Sequence, residues 1–338
     1  MAKERLMRKK FRLLLAIILS LILPLSLNIY GAAAESGSRF LYLGGIPAGF
    51  TLKTRGVTVI GLSDIVTKDG IFSPAKNADI KVGDVILSIN DKPINGSKSI
   101  TAIINKEGNS PVKIEIDRNG ETLIKYVQPH KGGDGIYKLG FFLRDDLNGI
   151  GTITYFEESG DFASLGHPVS DDNGKTIDMS SGKAYLCSII NVVKGERGKA
   201  GELKGIFVED TPIGSLTENR QTGLYGKADE SYDYKKLPKT EVGEAIIGKA
   251  TVTTCIDGVV PKDYQISIVK IEKNNKENKN FVIKILDKEL LSITNGILQG
   301  MSGSPIVQGG KIVGAVTHVF INDPSRGFGI SIDKMLEK

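Results

Sequence analysis

The chain has 338 residues, long enough for two ordinary domains and a tail. Hydrophobic residues make up 40% and charged residues 25%, the balance of a globular protein. The formal net charge of +5 belongs to residues 1–12, with six Lys/Arg against one Glu, while the remainder holds 38 basic and 38 acidic residues. That neutrality, with no stripe of basic and aromatic residues, excludes a nucleic-acid surface.

Residues 13–27 are almost wholly apolar, preceded by basic residues and followed by Gly31-Ala32-Ala33-Ala34. A basic segment, an apolar core and an Ala-x-Ala-like site predict an export leader over 1–36. The core is short for a membrane span, which needs about 20 apolar residues. Counting from Phe11 to Tyr30 reaches that length, so a cleaved signal peptide and a retained anchor both fit. Either places the rest of the chain outside the cytoplasm, associated with the membrane or secreted.

Residues 37–128 read as a small α+β module. Phe50–Thr54 and Gly56–Leu62 are predicted strands joined at Arg55-Gly56. Ser73-Pro74-Ala75 opens a helical turn, and alternation from Val85 to Ile89 marks a further strand. Ser97 is placed to cap a helix over 98–107, with Ile100, Ile103 and Ile104 on one face. Val112–Ile116 and Thr122–Val127 form a hairpin around Asn119-Gly120, a pair suited to positive φ. Residues 129–136, including Pro129-His130-Lys131-Gly132-Gly133-Asp134-Gly135, have the composition of a linker.

From 137 to 338 short apolar runs alternate with turns, among them Gly151–Tyr155, Ala184–Val193, Glu244–Thr254, Tyr264–Ile271, Phe281–Leu286 and Ile312–Val319. Evenly spaced short strands predict a sandwich or barrel. The length suits a two-barrel serine peptidase. Cys187 and Cys255 each sit in an apolar run and read as buried small hydrophobes; an exported chain leaves their pairing as the alternative. No metal-ligand spacing is present, and neither a metal nor a cofactor is expected.

Gly300-Met301-Ser302-Gly303-Ser304-Pro305 stands between Ile297-Leu298 and Ile306-Val307, with a Gly309-Gly310 turn beyond. Glycines around a serine let the backbone adopt positive φ and aim N–H groups at one spot. Such a turn presents a nucleophile, with Ser302 as the serine and Gly300 and Ser302 supplying oxyanion-hole N–H groups. Ser304 is the rival hydroxyl. A serine nucleophile needs a base and an orienting acid. The chain has three histidines. His130 lies in the linker, and His318 follows Ser302 on a predicted strand, near a specificity pocket. His167, in Ser164-Leu165-Gly166-His167-Pro168, lies far upstream, as the base does in chymotrypsin-like enzymes. Asp287 and Asp257 both sit at strand ends, and spacing leaves the choice of acid open.

Two resemblances follow. Ala48-Gly49-Phe50-Thr51, Ser73-Pro74-Ala75 and Gly83-Asp84-Val85-Ile86 with Ile89-Asn90 resemble a PDZ domain. That resemblance implies a groove between the Phe50–Thr54 strand and the Ser97–Lys106 helix, where a peptide tail adds as a strand and Gly49 and Phe50 meet its carboxylate. The stretch from Leu286-Asp287 through Gly300–Ile306 to Gly314–Pro324, with Ser164–Pro168, resembles the stage IV sporulation protein B peptidases. This second resemblance implies a mainly β fold: a chymotrypsin-like double barrel over 137–338, preceded by the PDZ domain and the hydrophobic leader. It also implies the triad His167, Asp287 and Ser302, thereby choosing Asp287 over Asp257.

The same resemblance implies a protein substrate: the extracytoplasmic part of a membrane-bound regulator of an intramembrane protease, cleaved between the forespore and mother-cell membranes. Cleavage would lead to activation of the late mother-cell sigma factor, and the enzyme would also cleave itself. Two other readings compete. One is a non-catalytic PDZ-bearing scaffold. The other is a general envelope stress protease, against which the PDZ-first order counts.

Overall fold

The computed structural model describes residues 38–94, 96–171 and 174–337. The leader over 1–36 lies outside them. Among the described residues no helix is long and apolar enough to cross a membrane.

The elements in chain order are β1 (Phe40–Leu62), β2 (Ile65–Thr67), β3 (Gly70–Phe72), α1 (Pro74–Asn77), β4 (Val85–Ile89), β5 (Lys92–Pro93), α2 (Ser97–Glu107), β6 (Val112–Arg118), β7 (Glu121–Val127), β8 (His130–Lys131), β9 (Tyr137–Lys138) and β10 (Phe141–Phe156). Then come β11 (Asp161–Ser164), β12 (Met179–Val193), β13 (Gly201–Arg220), β14 (Gly223–Ala228), β15 (Lys239–Val242), β16 (Gly248–Thr254), β17 (Lys262–Ile271) and β18 (Phe281–Ile285). The last are α3 (Lys288–Thr294), β19 (Leu298–Gln299), β20 (Pro305–Gln308), β21 (Lys311–Val319), β22 (Arg326–Ser331) and α4 (Ile332–Leu336). Residues from Phe40 onward form one compact unit.

The ladders close twice. β1 pairs with β10, β10 with β11, β11 with β14, β14 with β13, β13 with β12, and β12 again with β1. Likewise β16 pairs with β17, then β18, β22, β21 and β20, and β20 returns to β16. Each ring is a six-stranded antiparallel barrel. Numbered within its own ring, each has the strand order 1-2-3-6-5-4. Closure leaves no open edge within either ring. The first barrel is filled by Ile46, Ala48, Phe50, Leu52, Ile153, Phe156 and Phe162, among others. The second holds Val252, Ile266, Ile268, Phe281, Ile283, Ile306 and Val316. Between them, Leu41, Tyr155, Ile312 and Ile330 pack under Ile332 and Met335 of α4.

The small module has its own core, from Val57, Val59, Ile86, Ile89, Ile100, Ile104, Val112 and Ile114. Its hairpin turns at Asn119 (φ 56°) and Gly120 (φ 90°), as their chemistry predicts. Its place in the chain differs from expectation. Phe50–Thr54 and Gly56–Leu62 are not two strands of one domain but two halves of β1. In the first half Ile46, Ala48, Phe50 and Leu52 point into the first barrel; in the second, Val57 and Val59 point into the module. An inward face that moves from even to odd positions requires a break in the pleat. That break lies between Lys53 and Thr58, and Gly56 occupies it at φ 84°. A Cβ there would lie 2.3 Å from the Ile86 carbonyl oxygen, so glycine is needed. The module is therefore an insertion between the first two strands of the first barrel. Ahead of residue 137, the first half of β1 thus adds a strand to the first barrel. The 129–136 stretch also carries structure, since His130 pairs with Lys138 and stacks on Phe72 with centroids 4.0 Å apart.

Candidate active site

The site lies where the first barrel meets the second. Ser302 sits in the turn that leads from β19 into β20. Gly300 (φ 98°) and Gly303 (φ 92°) take the left-handed conformations expected of that turn. A Cβ on Gly303 would fall 2.1 Å from the Thr152 carbonyl oxygen and 2.4 Å from the Leu165 nitrogen, so the turn presses directly on the first barrel. The Ser304 N–H donates to the Met301 carbonyl (3.0 Å). The N–H of Ser302 shares that planar peptide and points the opposite way. It is thereby free of the turn's own hydrogen bond, as an oxyanion donor must be.

His167 follows β11, the third strand of its barrel. Leu165 (φ 66°) and Gly166 (φ 73°) form the turn that delivers it. A leucine in the left-handed region is strained, a cost that surrounding structure has to hold in place. Leu165 is buried, and a Cβ on Gly166 would come within 2.8 Å of Thr317 and Ile330 of the second barrel. The turn that carries the half-buried His167 is thus pinned against β21 and β22. Beyond it, Asn219 clamps the loop. Its Oδ1 accepts from Val169 N (2.9 Å), and its Nδ2 donates to the Val169 and Ile177 carbonyls (2.8 and 3.0 Å).

His167 Nδ1 lies 2.9 Å from the Pro168 carbonyl oxygen. A carbonyl only accepts, so Nδ1 carries the proton and Nε2 keeps its lone pair, the tautomer a base requires. Burial lowers the His167 pKa, and the Pro168 bond opposes this in part. The ring is therefore neutral near neutral pH. His318 of β21 stands beside it, ring centroids 4.8 Å apart. Its pKa is pushed down to about 4, first by desolvation and then by His167 and Lys279, with Glu277 opposing.

The serine turn, His167 and His318 thus form one cluster, but the resting Ser302 hydroxyl is aimed elsewhere. Ser302 Oγ donates to the Thr317 carbonyl (2.7 Å).

Asp287 is not brought to this cluster. It is the N-cap of α3, where Oδ1 accepts from Leu290 N (3.0 Å) and Oδ2 from Gln265 N (3.3 Å). An aspartate at a helix start satisfies orphan N–H groups and the macrodipole, which explains its place. In this conformation the acceptor on His167 is the Pro168 carbonyl. Asp257 is exposed in the β16–β17 turn. Ser304 is fully buried, with Oγ 2.9 Å from Thr254 Oγ1, and cannot meet a substrate. Cys187 and Cys255 are both buried free thiols.

The peptide site expected at Gly49 and Phe50 is a further correction. Both lie inside β1, paired on one edge to Ile150 and Gly149 of β10 and on the other to Tyr185 and Ala184 of β12. Their backbone belongs to the closed barrel, and Phe50 is core. The strand that reaches α2 is β10: Asp145 Oδ2 accepts from the N–H (2.9 Å) and hydroxyl (2.7 Å) of Ser97, supplying the cap expected of Ser97 itself.

Sequence reasoning also passed over Thr152, Thr154 and Thr254, whose buried hydroxyls surround the serine turn. The available signal was a pair of alternate threonines in the strand Gly151–Tyr155, polar at positions where a barrel strand is otherwise apolar.

Two family models match the chain. Residues 135–336 match the family SpoIVB peptidase S55, and residues 44–126 match the PDZ domain. No curated protein matches the chain. Among solved structures, the PDZ domain of an SdrC-like protein from Listeria monocytogenes is similar at 19% identity over 26% of this chain and 87% of that one, with a TM-score of 0.22. With its two barrels, its serine turn and a family match over more than half its length, the chain belongs to the SpoIVB peptidase S55 family, serine peptidases, and carries a PDZ domain.

Proposed function

We propose that this peptidase is exported and acts during sporulation, between the forespore and mother-cell membranes, on the extracytoplasmic part of a membrane-bound regulator. The support is the family, the apolar leader ahead of residue 37, and the absence of charge bias in the rest of the chain. What supports the chemistry is that the Ser302 turn and the turn carrying His167 pack together across the barrel interface, Gly303 against Leu165 and both Ser302 and Gly166 against Thr317. Ser302 Oγ attacks the scissile carbonyl. His167 Nε2 takes its proton and returns it to the leaving amine. The Ser302 and Gly300 N–H groups hold the oxyanion.

The resemblance gives the acid role to Asp287, and the geometry gives it the helix cap. Asp287→Asn keeps an acceptor at the cap. Loss of activity in a folded Asp287→Asn protein places Asp287 in the working triad; full activity leaves it a cap.

Peptide recognition is proposed along β10. Among the described residues, 141–148 are laddered to β1 alone, leaving the edge toward α2 for an added strand.

Mass spectrometry of products tests the whole reading. Wild type incubated alone, or with the soluble part of a candidate regulator, is expected to yield discrete fragments that Ser302→Ala does not. Equal fragments from both proteins contradict it.

A further inference from the structure

We propose that Thr152, on β10, is a positioning residue for the acyl-transfer turn. The inference rests on Ser302 being the nucleophile. Thr152 is buried, 2% exposed, and belongs to the opposite barrel from the serine. Its N–H donates to the Ser302 carbonyl (2.9 Å) and its Oγ1 to the Gly300 carbonyl (3.0 Å). Its own carbonyl accepts from Leu165 N (3.4 Å), two residues before the base. One residue therefore touches both sides of the nucleophile turn and the strained turn that carries His167.

The surrounding hydroxyls support this. Thr154 Oγ1 donates to the Gly303 carbonyl (2.7 Å). Ser304 Oγ lies 3.4 Å from Thr152 Oγ1 and 2.9 Å from Thr254 Oγ1. The carbonyls of Gly300, Ser302 and Gly303 are thus all held by β10. In a trans peptide, holding a carbonyl fixes the whole peptide plane, so the planes on both sides of the Met301–Ser302 peptide, which carries the Ser302 N–H, are held from β10. A glycine-rich turn has little stiffness of its own, and these bonds replace it. Thr152 touches no reacting atom. It acts by setting where Ser302 Oγ and the oxyanion donors stand relative to His167, and small misplacements of such groups are costly in rate.

The test uses an alkyl fluorophosphonate on the full chain: the Ser302 Oγ–P bond forms as the hydroxyl proton passes to His167 and fluoride leaves. Rates are normalised to folded protein by circular dichroism. Thr152→Val, which keeps the shape and loses the hydroxyl, is expected to lower the maximal labelling rate about a hundredfold, with the half-saturating concentration little changed. Thr152→Ser is expected to restore most of the rate. Thr152→Cys, with a weak S–H donor, should fall between them, and it serves in place of the valine variant if that does not fold. The proposal is overturned if Thr152→Val or Thr152→Cys labels within about threefold of wild type, or if Thr152→Ser is as slow as Thr152→Val. Undiminished labelling of Ser302→Ala instead overturns the assignment of the nucleophile on which the proposal rests.

Discussion

At the scale of single residues, the site depends on positions with no room to change. Gly303 combines a positive φ with backbone atoms of Thr152 and Leu165 where a side chain would go. Gly303→Ala is expected to cost on the order of 3 kcal/mol, read as a lower urea midpoint, because both the turn and the barrel contact must shift. His167 makes a prediction about pH. Its folded pKa is lowered, mainly by desolvation. The unfolded chain therefore binds a proton more readily, and the native state loses stability as pH falls from the ordinary histidine value toward the folded one. Activity follows the same group. The acid limb of the rate profile should lie below the usual histidine pKa of about 6.5. A limb at or above that value would contradict a desolvated base.

At the scale of elements, two caps and one strand matter most. α2 is capped by Asp145 from β10, and α3 by Asp287. Asp145→Ala should destabilise the chain by about 1 kcal/mol in urea unfolding, since Ser97 loses its acceptor. β10 links three places: the Leu143 end in the PDZ core, Asp145 at α2, and Thr152 under the serine turn.

What could be read from the chain follows from locality. The Ser302 turn, the Gly309-Gly310 hairpin and the Asn119-Gly120 hairpin were legible because turn chemistry is set by the residues in the turn. Gly49-Phe50 was misread because its meaning depends on which strands flank β1, and both lie about a hundred residues or more along the chain. The face change at Gly56 left no trace beyond one glycine. Thr152 was hidden for a different reason: a buried threonine on a strand looks ordinary until its acceptors are known.

At the scale of the molecule, the PDZ domain is inserted between the first and second strands of the first barrel. A fragment starting at residue 137 would lack β1, leaving that barrel open between β10 and β12. It is expected to show no cooperative unfolding. By contrast, Lys53 and Asp146 face each other as an antiparallel pair. Replacing residues 54–145 with Asn-Gly should join them as a tight hairpin and give a chain that unfolds cooperatively. A well-folded 137–338 fragment would refute the insertion.

The turn at Gly300–Pro305 is expected to present a working nucleophile to His167. Mapping the fluorophosphonate adduct by mass spectrometry tests it most directly. The predicted result is one adduct, on Ser302, strongly reduced in His167→Ala and absent in Ser302→Ala. An adduct on Ser304, or labelling that survives in Ser302→Ala, would contradict it.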